Sequence, residues 1–280
     1  MGTPMLFDLH CHSLRSDGQL SPTDLVNRAY EQGVTHLALT DHDTINGLQE
    51  AKQAAKPLGL EIIHGIEIST VWNGMGIHVV GLNFDAEHPA MLAAIERQEN
   101  CRLERAKTIA KKLEKQGAEG IWEAAQKVAN GAQIGRPHFA QALIDMGKVN
   151  NMAAAFKRYL GAGKSGDVKT LWPEMSEAVQ WIVDAGGTAV LAHPDKYKLT
   201  RTKLRLLLNA FKEAGGGAVE VTTGGMESSF AQRMAQYCDE FGLLGSQGSD
   251  FHGPRPWSEL GKFPPMPKSV TPVWHDWYAD

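Results

Sequence analysis

Histidines and carboxylates fall beside short aliphatic runs at five well-separated places in this chain, and any fold it adopts must account for them together. The segments are DLHCHS (Asp8 to Ser13), TDHDT (Thr40 to Thr44), GIHVVGL (around His78), VLAHP (around His193) and GSDFH (Gly248 to His252), with HGIEIS placing Glu67 between the second and third. Six of the eleven histidines are involved: His10, His12, His42, His78, His193 and His252. One such histidine alone is ordinarily a satisfied core residue. Six independent placements of this kind are hard to explain by packing, and a fold that gathers them makes a multinuclear metal site.

The spacing of the aliphatic runs indicates the fold. MLFDLH, THLALT, LEIIHGIEIS and GIHVVGL are β-rich, with helical patterns at 22–32 and 45–56 between the first three. This is the alternating rhythm of a parallel α/β sheet. From about 87 to 160 it gives way to charged, Ala-rich, helix-favouring sequence, then resumes with GTAVLAHP, GAVEVTT and LLGSQGSD separated by helical patterns at 174–184, 200–214 and 228–241. About seven strands with reactive residues just after them favour a closed barrel over a small open sheet, because barrel sites lie at the C-terminal ends of the strands. The predicted architecture is a discontinuous barrel domain over 1–97 and 170–280, with a helical insertion over 98–169 capping the active site. The Pro-rich tail, carrying Trp257, Trp274 and Trp277, is expected to pack across the barrel.

Within a strand, residues i and i+2 share a face, so Asp8, His10 and His12 are expected to point together, with Leu9 and Cys11 in the opposite wall. His10 and His12 can then chelate one ion, and Asp8 is read as an orienting partner for a ligand imidazole. Neutral imidazoles and carboxylates without thiolate suit Mn, Fe or Zn. Several ions close together need a bridging carboxylate, for which Glu67 is the best candidate. Asp17, in the turn sequence SDG, reads by local chemistry as a turn residue.

HCH at 10–12, TDHDT around His42, AHP at 192–194 and DFH at 250–252 together resemble the motifs of the PHP (polymerase and histidinol phosphatase) family of metallophosphoesterases. The resemblance spans most of the chain outside the insertion. It implies a distorted (β/α)7, TIM-like barrel with two to three divalent ions. One ion would be held by His10, His12, Glu67 and Asp250, a second by Glu67, His78 and His193, and a third by Asp17, His42 and His252. The resemblance thus turns Asp17 from a turn residue into a ligand. Three such ions against Asp17, Glu67 and Asp250 leave about three net positive charges, enough to hold a phosphate with a hydroxide at neutral pH. The expected chemistry is in-line attack by a metal-bridging hydroxide held by Glu67, His10, His12 and Asp250.

GRPHFA (135–140) further resembles the subgroup of 3',5'-nucleoside bisphosphate phosphatases, ribonuclease AM and TrpH-type proteins. That likeness implies removal of the 3'-phosphate from a nucleoside 3',5'-bisphosphate, such as adenosine 3',5'-bisphosphate, and release of 5' nucleotides from short 5'-phosphorylated RNA. Arg136 and Lys164 are candidates for a second phosphate, since a planar guanidinium suits phosphate oxygens; an exposed surface charge is the alternative for each. His138 is either a pocket residue or a helix cap. Competing functions are a histidinol-phosphatase-like monophosphatase, a noncatalytic metal-binding module and a nuclease acting on longer nucleic acid.

Composition narrows these. A formal charge of −4 gives no basic track for long duplex nucleic acid. Cys11, Cys101 and Cys238 are odd in number and far apart, which suits reduced thiols in a cytoplasmic protein. The start has no signal-peptide pattern and no apolar stretch is long enough to span a bilayer. GAGKSG (161–166) lacks the first glycine and the preceding strand of a P-loop. The mixed charges from Arg97 to Lys115 read as a solvated helix face.

Overall fold

The computed structural model describes residues 5–168 and 171–278. The chain divides into two compact units, one of residues 1–95 and 173–280 and one of 96–172. The sequence boundary at 169/170 lies outside the described residues.

Among its described residues the first unit contains seven strands: β1 (Phe7–Cys11), β2 (His36–Leu39), β3 (Glu61–Trp72), β4 (Met75–Leu82), β5 (Thr188–Leu191), β6 (Ala218–Thr223) and β7 (Leu244–Gly248). They form one sheet in chain order, and β7 returns to β1 through His12 N–H to Phe251 O at 2.9 Å and Asp250 N–H to His10 O at 2.8 Å. The result is a nearly closed barrel. Part of its interior is apolar, with Phe7, Leu9, Ala38, Ile63, Val80, Val190 and Ala218 meeting Val273, Trp274 and Trp277 of the tail.

Helices cover the outside. In α1 (Pro22–Glu31) the Ser21 hydroxyl accepts the Asp24 N–H, Pro22 opens the first turn, and Leu25, Val26 and Ala29 are buried. With α2 (Leu48–Ala55) these residues pack on Cys11, Leu37 and Leu39. Leu204, Leu207, Leu208 and Phe211 form the buried stripe of α8 (Arg201–Glu213), at the i, i+3, i+4, i+7 spacing of an amphipathic helix. It shares a core with α7 (Met175–Asp184) and α9 (Ser228–Phe241) over the outer faces of β3 to β6. None of the described helices is long and apolar enough to cross a membrane.

Three features depart from the sequence reading. First, β4 runs antiparallel to both β3 and β5. Asn73 and Gly74, both with positive φ, make the two-residue hairpin turn between β3 and β4. Such a turn joins only antiparallel strands. Second, the β1–β2 register shifts between Asp8 and Cys11. Leu9 therefore joins the barrel interior while Cys11 joins the outer core with Leu37 and Leu39. An irregularity of this kind reverses the face on which later side chains emerge. Third, Trp257 is 74 % exposed, unlike Trp274, which stacks on Phe7 at 4.3 Å between ring centroids.

The second unit is helical. The division falls within α3 (Pro89–Glu114), and α4 (Ile121–Ala129), α5 (Arg136–Asp145) and α6 (Met152–Ala155) follow, the last running into a π-helical turn over Phe156–Leu160. Its own core gathers Ile109, Leu113, Ile121, Phe139, Leu143 and Leu160. The mixed-charge face of α3 is not uniformly solvated. Arg102 and Arg105 are buried, both guanidiniums lie over the Trp172 ring, and Arg105 donates to the Val168 carbonyl at 2.7 Å.

Candidate metal centre

Glu67 lies within β3 and is 1 % exposed. The loop after β2 is pinned to it by the Asp43 N–H on Glu67 O (2.9 Å) and the Glu67 N–H on Asp41 O (3.2 Å), which brings His42 alongside. His78 reaches Glu67 from β4, where Val80 stands directly opposite and His78 is the diagonal neighbour. His12 follows β1, and His193 and Asp250 each stand two residues beyond a strand, with φ of 29° and 51°. Non-glycine residues with such backbones cost on the order of 1–3 kcal/mol and concentrate at functional sites.

Five imidazoles surround this one carboxylate. Oε2 lies 3.3 Å from His10 Nε2, 3.2 Å from His12 Nε2 and 3.1 Å from His42 Nδ1. Oε1 lies 2.9 Å from both His78 Nδ1 and His193 Nε2. Asp250 Oδ1 is 3.6 Å and 3.4 Å from the same nitrogens of His10 and His12 and 3.5 Å from His252 Nδ1. Asp17 Oδ1 is 3.3 Å from His252 Nε2, and its Oδ2 is 3.9 Å from His42 Nε2. All nine residues read from the sequence as metal ligands thus stand in one cluster.

The donor set fits bound cations better than internal hydrogen bonds. His12 Nδ1, His42 Nδ1, His193 Nδ1 and Asp17 Oδ1 are buried with no hydrogen-bond partner among the described residues, although buried polar atoms are normally satisfied. Donor atoms converge in three groups, each within 4.8 Å of one another: His10, His12 and Glu67; His42, Glu67 and His78; and His12, Asp17, His42 and His252. Burial lowers the pKa of His42, His78 and His252, which disfavours the charged form of these rings. For Asp17, burial acts upward but His252 and His42 outweigh it and hold the carboxyl well below its ordinary range. His10 differs. Burial opposes its charge, yet Glu220 and Glu67 raise its pKa to about 10.

The surroundings hold this geometry. Asp41 accepts from Ser13 N–H (2.7 Å), Ser13 Oγ (2.6 Å) and Ser16 Oγ (2.6 Å), which shapes the loop bearing Asp17. Gly18 completes that loop because a Cβ there would lie 2.2 Å from the His12 carbonyl oxygen. Lys196 donates to Asp250 Oδ2. Asp8, expected to orient an imidazole, instead accepts the backbone N–H groups of Ser249 and Gly261, each at 2.8 Å. The register shift in β1 explains this, since it separates the direction of Asp8 from that of His10. The imidazole partner is Glu220, which the sequence reading missed; its signal was a lone carboxylate inside the otherwise uncharged strand GAVEVTT.

The remaining candidates lie in the helical unit. Arg136 donates to Leu160 O at 3.3 Å and stands 4.0 Å from Asp167. His138 Nδ1 accepts the Gly135 N–H at 2.9 Å, a helix-capping contact, and Lys164 is exposed. Cys11 is a buried wall residue whose thiol donates to Ala38 O at 3.2 Å.

A PHP domain profile matches residues 8–223, and the chain belongs to that family. It is 50 % identical over 268 residues to a 5'-3' exoribonuclease of Haemophilus influenzae, covering 96 % of this chain and 97 % of that protein. It is also 40 % identical over 271 residues to a 3',5'-nucleoside bisphosphate phosphatase of Chromobacterium violaceum, covering 96 % and 95 %. An amidohydrolase from Chromobacterium violaceum, solved with bound sulfate and no metal, superposes with a TM-score of 0.90 at 39 % identity over 96 % of this chain and 95 % of that one.

Proposed function

We propose that this protein is a metal-dependent phosphoesterase that removes the 3'-phosphate of nucleoside 3',5'-bisphosphates and releases 5' nucleotides from short 5'-phosphorylated RNA. The observation that carries the reading is the single buried Glu67 carboxylate ringed by five imidazoles, with Asp17 and Asp250 completing the cluster. Extensive identity to relatives named for these two activities supports the substrate class. One geometry serves both reactions, because a 3'-phosphate and a 3'-phosphodiester present the same phosphorus and differ only in the attached group.

Two to three divalent ions of Mn, Fe or Zn fit the nitrogen and oxygen donors. Bound there, they supply charge for the phosphate and lower the pKa of water to roughly 7. His10, His12, Glu67 and Asp250 would hold one ion, Glu67, His78 and His193 a second, and Asp17, His42 and His252 a third. Glu67 offers both oxygens and would serve the first two positions together. Arg136 is the candidate for the second phosphate, with Lys164 and His138 as further candidates. The three cysteines suit a cytoplasmic location.

The test is a hydrolysis screen of metal-analysed protein against nucleoside monophosphates, 3',5'-bisphosphates, a phosphorylated small amine and short 5'-phosphorylated RNA. Preference for the bisphosphate and the RNA is expected; preference for the amine phosphate would replace this reading by a histidinol-phosphatase-like one. Arg136→Ala should raise KM for the bisphosphate roughly tenfold or more, as loss of a charge-assisted contact of about 1.5–3 kcal/mol requires, and leave an aryl phosphate nearly unaffected. Equal effects on both substrates would remove Arg136 from the second-phosphate role.

A further inference from the structure

We propose that Glu220 is a positioning residue that presents His10 Nε2 to the metal cluster and couples that imidazole to the backbone of His193. The inference rests on the reading of His10 and His193 as metal ligands. Glu220 sits mid-strand in β6 and is 1 % exposed. A buried carboxylate is costly unless both oxygens find donors, and here they do. Oε1 lies 2.6 Å from His10 Nδ1, and Oε2 accepts the His193 N–H.

An ionised carboxylate only accepts hydrogen bonds, so the proton on His10 Nδ1 points at Glu220. Nε2 then faces His12 Nε2 at 3.1 Å and Glu67 Oε2 at 3.3 Å. The other oxygen of Glu220 grips the amide of His193, whose φ of 29° turns its ring so that Nε2 lies 2.9 Å from Glu67 Oε1. One side chain therefore sets the donors on both oxygens of Glu67. Its loss should weaken two ion positions together.

Glu220→Gln keeps the shape and tests the hydrogen bonding. The carboxamide has one accepting oxygen. If that oxygen stays on His193 N–H, the amide NH2 faces His10 Nδ1, which must then accept, and the ring proton moves to Nε2 inside the cluster. If the amide turns over, its NH2 opposes the His193 N–H. The first arrangement should lower metal affinity about 10–100-fold at the His10 position, the range for loss of a carboxylate behind a ligand imidazole, and the second should weaken the His193 position instead.

The experiment measures metal affinity by competition with a chelator for wild type, Glu220→Gln and His10→Ala, with circular dichroism and chelated-state unfolding as folding controls. His10→Ala retaining wild-type affinity would refute the ligand reading itself. His10→Ala losing metal while Glu220→Gln binds as wild type would overturn the Glu220 inference alone. If Glu220→Gln does not fold, 15N NMR of histidine-labelled, zinc-loaded wild type decides, with the His10 signal assigned by its loss in His10→Ala. A proton on Nδ1 is expected, and a proton on Nε2 would overturn the proposal.

Discussion

The two ends of the barrel are both rich in rings, yet they use those rings for opposite purposes. At the downstream end His10, His12, His42, His78 and His193 converge on Glu67, and several of their nitrogens have no hydrogen-bond partner among the described residues. At the upstream end Phe7 stacks on His36 at 4.1 Å and on Trp274 at 4.3 Å, and Tyr278 meets His36 edge-on at 5.5 Å. There the histidine is satisfied locally, with Nδ1 2.8 Å from Thr35 Oγ1 and Nε2 3.5 Å from Glu61. The same residue type is a ligand candidate where its neighbours are carboxylates and a packing residue where they are aromatic. Position along the strand decides which.

If that division holds, changes at one end alter metal and turnover and changes at the other alter stability. The largest effect is expected for Glu67→Ala, which removes the contact shared by five imidazoles. Activity should fall by about a thousandfold or more, matching the several kcal/mol that metal ions supply to phosphoryl transition states. Metal content, measured after gel filtration, should fall with it. Near-normal turnover with full metal content would break the comparison. Trp274→Ala sharpens it from the other side. The lost stack should cost up to about 3 kcal/mol in urea unfolding, less than for a fully buried tryptophan because Trp274 is half-buried. Metal content and turnover per folded molecule should remain unchanged.

The downstream end was easier to read in the sequence because strand ends are marked twice, by the close of an aliphatic run and by the polar residue that follows. His193 and Asp250 carry both marks. Glu220 carries neither, since it lies mid-strand and its importance depends on a neighbour 210 positions away in sequence. The β1 irregularity was illegible for a related reason. Alternation predicts faces only while the register is regular, and the shift between Asp8 and Cys11 comes from pairing with β2 and closing against β7 rather than from the local pattern. The reversal of β4 could have been read, because Asn73-Gly74 between two β-rich runs is a strong hairpin signal. The rhythm of the surrounding units masked it. Two tail tryptophans, Trp274 and Trp277, pack where an aromatic-rich tail was expected, whereas Trp257 sits in a turn closed by hydrogen bonds between Arg255 and Ser258 and faces solvent.

The smallest effect tests the upstream histidine through its protonation. Burial lowers the pKa of His36, only partly offset by the nearby Glu61. A proton therefore binds the unfolded chain more readily than the folded one. The stability that neutral His36 contributes is complete above its unfolded pKa of about 6.5 and is lost as pH falls from there through the lower folded value. His36→Phe keeps a ring against Phe7 and removes the titration, at a cost of about 1 kcal/mol for the lost Thr35 hydrogen bond. Urea unfolding of the metal-loaded proteins at pH 7.5 and pH 5.5 should show wild type losing more stability on acidification than His36→Phe. The other histidines are common to both proteins, so the difference between the two pH responses isolates this ring. Parallel responses would mean that His36 titrates alike in both states. A drop in metal content or turnover per folded molecule would show that the aromatic end communicates with the cluster, and the separation of the two ends would fail.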